Sequence, residues 1–341
     1  MARAYVTETG REAADGRHGS RIRRVAGGWR LGGPAGMWRR GLVLAALAVV
    51  LALVMLLHSR IPNTIGNFGS LTETFLPWFG LIVLLLLAGA LVRRSVTALI
   101  ALALPVAVWL HLFGGLLPHR TGTGGDLTVA THNVNAGNPD PSGTARDVAA
   151  SGADVVALEE LTTTALPVYE KALSRTYPHH VVQGTVALWS KYPLSGTEPV
   201  DIKLGWTRAL RTTIASPAGP VAVYVAHLPS VRVKVNSGFT ASERDQSANA
   251  LGEAIAHEPL KRVVLLGDLN GTMNDRALTG VTAQMRSTQG AAGDGFGFSW
   301  PSSFPMARID QIMVKDVTPV RSWTLPRTPS DHLPIAATLE L

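Results

Sequence analysis

Val263-Val264-Leu265-Leu266-Gly267-Asp268-Leu269-Asn270 is an apolar run that stops on a carboxylate. Four consecutive branched apolar residues ahead of a glycine read as a buried strand, with Asp268 at its tip. Two further segments share this character. Arg308-Ile309-Asp310 leads into Ile312-Met313-Val314, and Ser330-Asp331-His332 leads into Ile335-Ala336-Ala337. A single acidic tip is ordinary turn chemistry, since Gly and Asp both favour turns. Three such tips, one carrying a histidine, bring hard oxygen ligands and a proton-handling group together, which is the donor set of a metal-assisted hydrolase.

Outward from these tips the pattern alternates between strands and helices. Residues 127–131 read as a strand ending at His132-Asn133-Val134-Asn135, and 154–158 as a strand ending at Glu159-Glu160. Segments 181–189, 209–215 and 221–226 read as strands, the last ending at His227-Leu228-Pro229. Residues 145–151 suggest a helix. Residues 242–256 suggest another, capped by Ser242, with Ala248, Leu251 and Ile255 on its apolar face. Mixed strands and helices over about 220 residues, with polar tips gathered at one edge, predict an α/β fold: a four-layer sandwich of two sheets.

The N-terminal third is different in kind. Residues 1–40 hold nine arginines against Glu8, Glu12 and Asp15, about +6 of the formal +7. Residues 41–120 add about +3, which leaves residues 121–341 near −2 by difference. A nuclease for long nucleic acid would be expected to carry a basic footprint on its catalytic domain, and on net this domain carries none. The chain has no cysteine, which excludes disulfides and thiolate metal sites. Three apolar stretches, 41–57, 75–92 and 96–117, reach the length that a membrane span needs. Arg39-Arg40 and Arg93-Arg94 flank them on one side, so the positive-inside rule predicts a cytoplasmic N-terminus and, after three spans, an extracellular domain. The expected organisation is a disordered, lipid-facing basic arm at 1–40, a three-helix membrane region at 41–120 and a catalytic domain at 121–341. Thr121-Gly-Thr-Gly-Gly125 serves as a short flexible link. His111 is expected at the membrane interface.

The ordered set Thr131-His132-Asn133-Val134-Asn135, Asp154-Val-Val-Ala-Leu-Glu-Glu160, His227-Leu228, Gly267-Asp-Leu-Asn270, Arg308-Ile-Asp310 and Ser330-Asp-His332 resembles the endonuclease/exonuclease/phosphatase superfamily over roughly residues 126–341. That superfamily has the DNase I-like fold. Trp189-Ser-Lys-Tyr-Pro193, Arg244-Asp-Gln246 and Ser299-Trp-Pro301 also look like its elements. The resemblance implies magnesium as cofactor, with manganese as the alternative, held by Glu160 with Asn133 and Asp331. It implies that Asp268 orients or deprotonates the attacking water, that Asn270 donates to a phosphoryl oxygen, and that His332 works with Asp310 as its partner. His227 would contact phosphate and assist the leaving group. Arg208 and Arg244 either contact phosphate or brace loops. Asn135, a further candidate substrate contact, stands where some nuclease relatives have Asp, and Glu159 where relatives often have Gln. The competing plain readings are a solvated helix start for Glu159-Glu160, a strand-end turn for Asp268-Asn270, and an exposed loop pair for His179-His180.

A basic arm, three spans and an outer catalytic domain are similar to the VanJ type of actinobacterial glycopeptide-resistance membrane proteins. This resemblance implies a phosphorylated cell-wall lipid carrier, polyprenyl diphosphate, as substrate, with the bilayer as a partner. Two other activities fit the same residues: a tethered extracellular nuclease or phosphodiesterase, and a sphingomyelinase-like phospholipase. A reading of another class is a non-catalytic module that binds phospholipid or a partner protein. Oligomeric state is not legible in the sequence.

Overall fold

The computed structural model describes residues 36, 39–64, 66–230 and 238–341. Apart from Gly36, Arg39 and Arg40, the basic arm therefore lies outside the described residues. Four helices come first: α1 Leu42–Leu56, α2 Phe68–Phe75, α3 Phe79–Val92 and α4 Val96–Phe113. A 3-10 turn at Leu76–Trp78 joins α2 to α3, making one rod of 25 residues from Phe68 to Val92. With its following turn, α4 reaches Leu116 over 21 residues. Both are long and apolar enough to cross a bilayer. Only 17% and 22% of their apolar windows are buried, whereas a core helix of a soluble domain would be mostly covered.

Expected as three spans, the region thus supplies two helices of sufficient length. α1 has 15 residues, about 22 Å at 1.5 Å per residue, against a hydrocarbon layer of about 30 Å. It packs through Ala48, Leu51 and Met55 into a small core with Ala98 and Leu102 of α4. The second stretch also begins earlier than expected, at Phe68, and so takes in Glu73. Its side chain is fully buried against the following domain, where the Thr272 hydroxyl donates to the Glu73 backbone oxygen at 3.1 Å.

Residues 127–340 carry twelve strands: β1 Leu127–Asn133, β2 Val155–Glu159, β3 His179–Gln183, β4 Val186–Ser190, β5 Leu194–Pro199, β6 Ala209–Ser216, β7 Gly219–Ala226, β8 Val263–Asp268, β9 Arg286–Ser287, β10 Asp310–Lys315, β11 Thr318–Thr324 and β12 Ile335–Glu340. They form two six-stranded sheets, ordered β11-β12-β1-β2-β4-β3 and β5-β6-β7-β8-β10-β9. The sheets meet through Val129, Val155, Leu188, Leu210, Val223, Leu266 and Ile312, all fully buried. Helices α5 Pro141–Ala150 and α6 Leu166–Leu173 cover the outer face of the first sheet; α7 Gly238–Ala256 covers the second. The expected four layers are present.

Several local expectations change. Residues 181–189 are not one strand but belong to the hairpin β3–β4, which turns at Gly184 with φ 61°. His179 and His180 are strand residues, and His180 stacks on Trp189 at 5.8 Å. α7 begins four residues before Ser242, so that serine does not cap it. The link at 121–125 is tied down: Gly122 N donates to Val320 O at 2.7 Å, and Asp126 N to Leu339 O at 2.7 Å.

Gly267 shows how tightly the site end of β8 is built. Its φ is 141°, and a Cβ there would stand 1.9 Å from the Ala226 carbonyl oxygen of neighbouring β7. Gly267→Ala must therefore open the β7–β8 pairing or strain the backbone, at about 1–3 kcal/mol. The melting temperature should fall and activity with it. An unchanged melt would show that the pairing is looser than these distances state.

Candidate active site

Strand alternation alone gathers the site. In a strand, every second side chain faces the same way. The inter-sheet core uses Leu127 and Val129 of β1, Val155 and Ala157 of β2, Val223 and Val225 of β7, Val264 and Leu266 of β8, and Ile312 and Val314 of β10. Continuing each series to the strand tip reaches Asn133, Glu159, His227, Asp268 and Asp310. β6 uses Leu210 and Ile214 in the same way, which reaches Arg208. β1 and β2 run parallel, as do β7 and β8, while β10 starts where β8 ends, with Asp310 opposite Asp268. All these tips therefore open at one mouth of the sandwich.

Three non-glycine residues at this mouth have left-handed backbone: Asn135 (φ 62°), Glu160 (φ 60°) and Asn270 (φ 47°). Asparagine tolerates this region, whereas for glutamate it is uncommon. The kink at Glu160 turns its carboxylate back toward β1, where the Asn133 amide donates to Glu160 Oε1 at 3.1 Å and to Asp268 Oδ2 at 3.0 Å. One side chain thus spans two carboxylates from different sheets. His227 Nε2 lies 3.6 Å from the same Glu160 oxygen and 3.7 Å from the same Asp268 oxygen. On the other side of Asp268, His332 Nε2 is 3.8 Å from Oδ2, and His332 Nδ1 meets Asp310 at 2.9 Å. The Ser299 hydroxyl donates to Asp310 at 2.6 Å, and the Ser330 hydroxyl donates to the Asn133 carbonyl at 2.7 Å.

Burial sets the charges here. It lowers His227 well below the usual imidazole range, and the Arg208 and His332 charges lower it further, so His227 is neutral. Burial would lower His332 too, but Asp310 and Asp268 outweigh it and raise the imidazole to about 10. Asp310, despite its own burial, is held low by the His332 charge, so the two form an ion pair. Burial raises Asp268 to about 7, with the Asp310 charge adding to it and His332 opposing. Glu159 is raised well above its usual range by burial, and Thr131 donates to it at 2.7 Å. It is therefore not a solvated helix start. Burial favours its uncharged form.

The expected site residues divide into three groups. Asn133, Glu160, His227, Asp268, Asp310 and His332 converge. Arg208 lines an open pocket of about 410 Å³ together with Glu160, His227 and Trp206, its guanidinium 5.1 Å from the Trp206 ring centre. Asp331 and Asn135 form an outer pair, with the Asn135 amide donating to Asp331 Oδ1 at 2.9 Å. Asn270 is turned inward, its amide donating to Leu228 O at 2.8 Å. Arg244 is a brace and is fully buried. It pairs with Asp275 at 2.6 Å and donates to Asn270 O at 3.1 Å and to Ser70 Oγ of α2 at 3.1 Å. Ser299, Ser330 and Thr131 all lie inside quoted motifs, but only folding shows which carboxyl or carbonyl their hydroxyls reach.

The residues fit a divalent cation. Glu160 offers a hard carboxylate donor on an open pocket of about 410 Å³ with room for waters, as magnesium requires, and Asp268 lies across the Asn133 amide from it. Asp268, Asp310 and His332 also lie close enough together to hold an ion. However, His332 Nδ1 is already committed to Asp310, so this trio is better suited to handling a proton.

Residues 130–332 match the Endonuclease/Exonuclease/phosphatase family. Among solved structures, the endonuclease/exonuclease/phosphatase of Beutenbergia cavernae is 19% identical, with 64% of this chain and 72% of that chain covered at a TM-score of 0.52. D. rerio TDP2 complexed with single-strand DNA product is 18% identical, over 63% and 99%, at 0.54. The mannosyl-6-phosphatase Bt3783 of Bacteroides thetaiotaomicron is 18% identical, over 63% and 100%, at 0.52. At these identities the likeness shows the fold. No curated protein matches the chain.

Proposed function

The chain belongs to the endonuclease/exonuclease/phosphatase family, and on that premise we propose that it is a membrane-held, metal-dependent hydrolase of a phosphorylated lipid on the outer face of the bilayer. Magnesium, or manganese in its place, would be held by Glu160, whose carboxylate the Asn133 amide orients, with Asp331 near the entrance. When bound, it would neutralise charge that develops on the phosphoryl oxygens. Asp268 orients the attacking water and accepts its proton. The His332 cation, held by Asp310, stabilises negative charge on the phosphoryl group. His227, neutral and close to both carboxylates, donates toward the leaving oxygen. Arg208 meets the substrate phosphate at the pocket mouth, and Asn135 keeps Asp331 in place.

One observation carries the lipid reading: the exposed apolar rod is built into the hydrolase domain. Trp78 Nε1 donates to Met306 O at 2.7 Å, and its ring stacks on Phe298. Ser70 reaches the Asn270 backbone through Arg244. A domain fixed this closely to lipid-facing helices meets lipid-linked phosphates more often than soluble ones. By the positive-inside rule, Arg93-Arg94 at the far end of the rod belong in the cytoplasm, and the domain outside. The polyprenyl diphosphate of cell-wall synthesis has the required chemistry, and a role in glycopeptide resistance follows if it is the substrate.

The test is phosphate release from undecaprenyl diphosphate by the full chain in mild detergent with magnesium, with supercoiled DNA and sphingomyelin as parallel substrates. Release from the diphosphate, absent with Asp268→Ala, is the expected result. Nicking of DNA without phosphate release would replace this reading with a tethered nuclease, and phosphocholine release with a phospholipase. No turnover and no metal binding would favour a non-catalytic module.

A further inference from the structure

Two cavities lie where the apolar helices meet the hydrolase domain, and none of the proposed catalytic residues lines either. The first, of about 480 Å³, is walled only by apolar residues and glycine, including Trp78 and Leu84 on the Phe68–Val92 rod, Val106 and Trp109 on α4, and Phe296 and Phe298 of the hydrolase domain. Its volume is within the roughly 300–1,000 Å³ of ordinary ligand sites. Leu84 is 59% exposed and Val106 40% exposed, so this chamber opens sideways onto the apolar helix surface that a bilayer would cover.

The second cavity, of about 360 Å³, shares Pro77, Phe296 and Phe298 with the first, and its chemistry is different. Phe113 and Leu116, at the C-terminal end of α4, line one side; Arg286, Gln289, Arg308 and Gln311 line the other. Arg308 is only 6% exposed. One of its nitrogens donates to Gly297 O at 2.8 Å, but Nε and Nη2 have no partner among the described residues. Gln289 Oε1 and Gln311 Oε1 are also buried without a partner among the described residues. Buried guanidinium donors without an acceptor are costly. An anion would satisfy them, and hydroxyl groups beside that anion would satisfy the two amide oxygens.

An apolar chamber open to the bilayer and a cationic chamber at the helix end match the two halves of an amphiphile. We propose that the paired cavities bind one anionic glycerophospholipid of the surrounding membrane, with a chain between Trp78 and Trp109, its phosphate on Arg308 and Arg286, and headgroup hydroxyls at Gln289 and Gln311. The site is separate from the catalytic mouth. It is a bound lipid distinct from the substrate, and it rests on the membrane reading of the helices but not on which phosphoester is cleaved. Gln311 also donates to Gly271 O at 3.3 Å, next to Asn270, so occupancy bears on a loop of the active site.

Trp78 and Trp109 are built-in probes. The full chain would be placed in phosphatidylcholine nanodiscs containing a minor fraction of chain-brominated phosphatidylglycerol or, in parallel, chain-brominated phosphatidylcholine. The Trp78→Phe/Trp109→Phe protein supplies the background emission. Quenching of these two tryptophans should be several-fold stronger with the brominated phosphatidylglycerol. Arg308→Gln should make the two lipids equal. Because loss of a buried arginine can impair folding, Arg286→Gln, an exposed position, is measured beside it, and both are checked by thermal unfolding. Loss of the headgroup preference in either folded variant supports the proposal. Equal quenching by the two lipids in the native protein, or a preference kept in every folded variant, overturns it. Protein recovered outside the discs would overturn the membrane reading and this site with it, whereas turnover of any substrate leaves the quenching result unaffected.

Discussion

Asp268→Asn should lower kcat/KM by roughly 10²–10⁴, the usual worth of a positioned general base, while leaving the fold intact. Asparagine fills the same volume and can still accept from Asn270 N, now 2.9 Å from Asp268 Oδ1. What it cannot do is accept a proton or carry negative charge beside Glu160. The pH dependence follows with a defined sign. Burial raises Asp268 to about 7, so the active carboxylate is lost as pH falls through that value, and the native enzyme should show an acid limb there. A bound cation favours the charged form. Increasing magnesium should therefore move the limb to lower pH, and Asp268→Asn should have no such limb. The measurement is kcat/KM from about pH 5 to 9 at two magnesium concentrations. A limb that persists unchanged in Asp268→Asn would assign the base to another group.

Much of this site is legible in the sequence because strand tips are local and alternation is strict. Val263-Val264-Leu265-Leu266 states both that a buried strand exists and, by counting in twos from Val264, that Asp268 faces the other sheet. The same count places Asn133, His227 and Asp310. What the sequence does not state is which tips touch. That Asn133 joins Glu160 to Asp268 depends on the left-handed turn at Glu160, a residue type that gives no warning of it. Arg244 is ambiguous until α2 and Asp275 are in place around it, because buried ion pairs and phosphate ligands look alike in a chain. The strands β5, β9 and β11 escape because their exposed faces are polar and irregular. The shortfall at α1 has a further cause: an apolar run reports what can enter a bilayer, not how far the helix extends.

The second large effect is expected at the His332–Asp310 pair, and its sign separates catalysis from mere structure. His332→Ala should lower kcat by about 10²–10⁴, because it removes the only imidazole of the site that its neighbours keep charged. Asp310→Asn is the sharper test. Burial alone lowers His332, and Asp310 is the first of the charges that reverse this. With Asp310 neutral, the folded pKa of His332 must fall. The imidazolium needed by the reaction is then lost at lower pH, so the alkaline limb, expected near 10 in the native enzyme, should move toward neutrality. Loss of packing or of stability would lower the whole profile without moving the limb. The two substitutions act on one unit, so the double variant should be little worse than His332→Ala alone. An alkaline limb unmoved by Asp310→Asn, or losses that multiply in the double variant, would remove Asp310 from its positioning role and leave His332 acting alone.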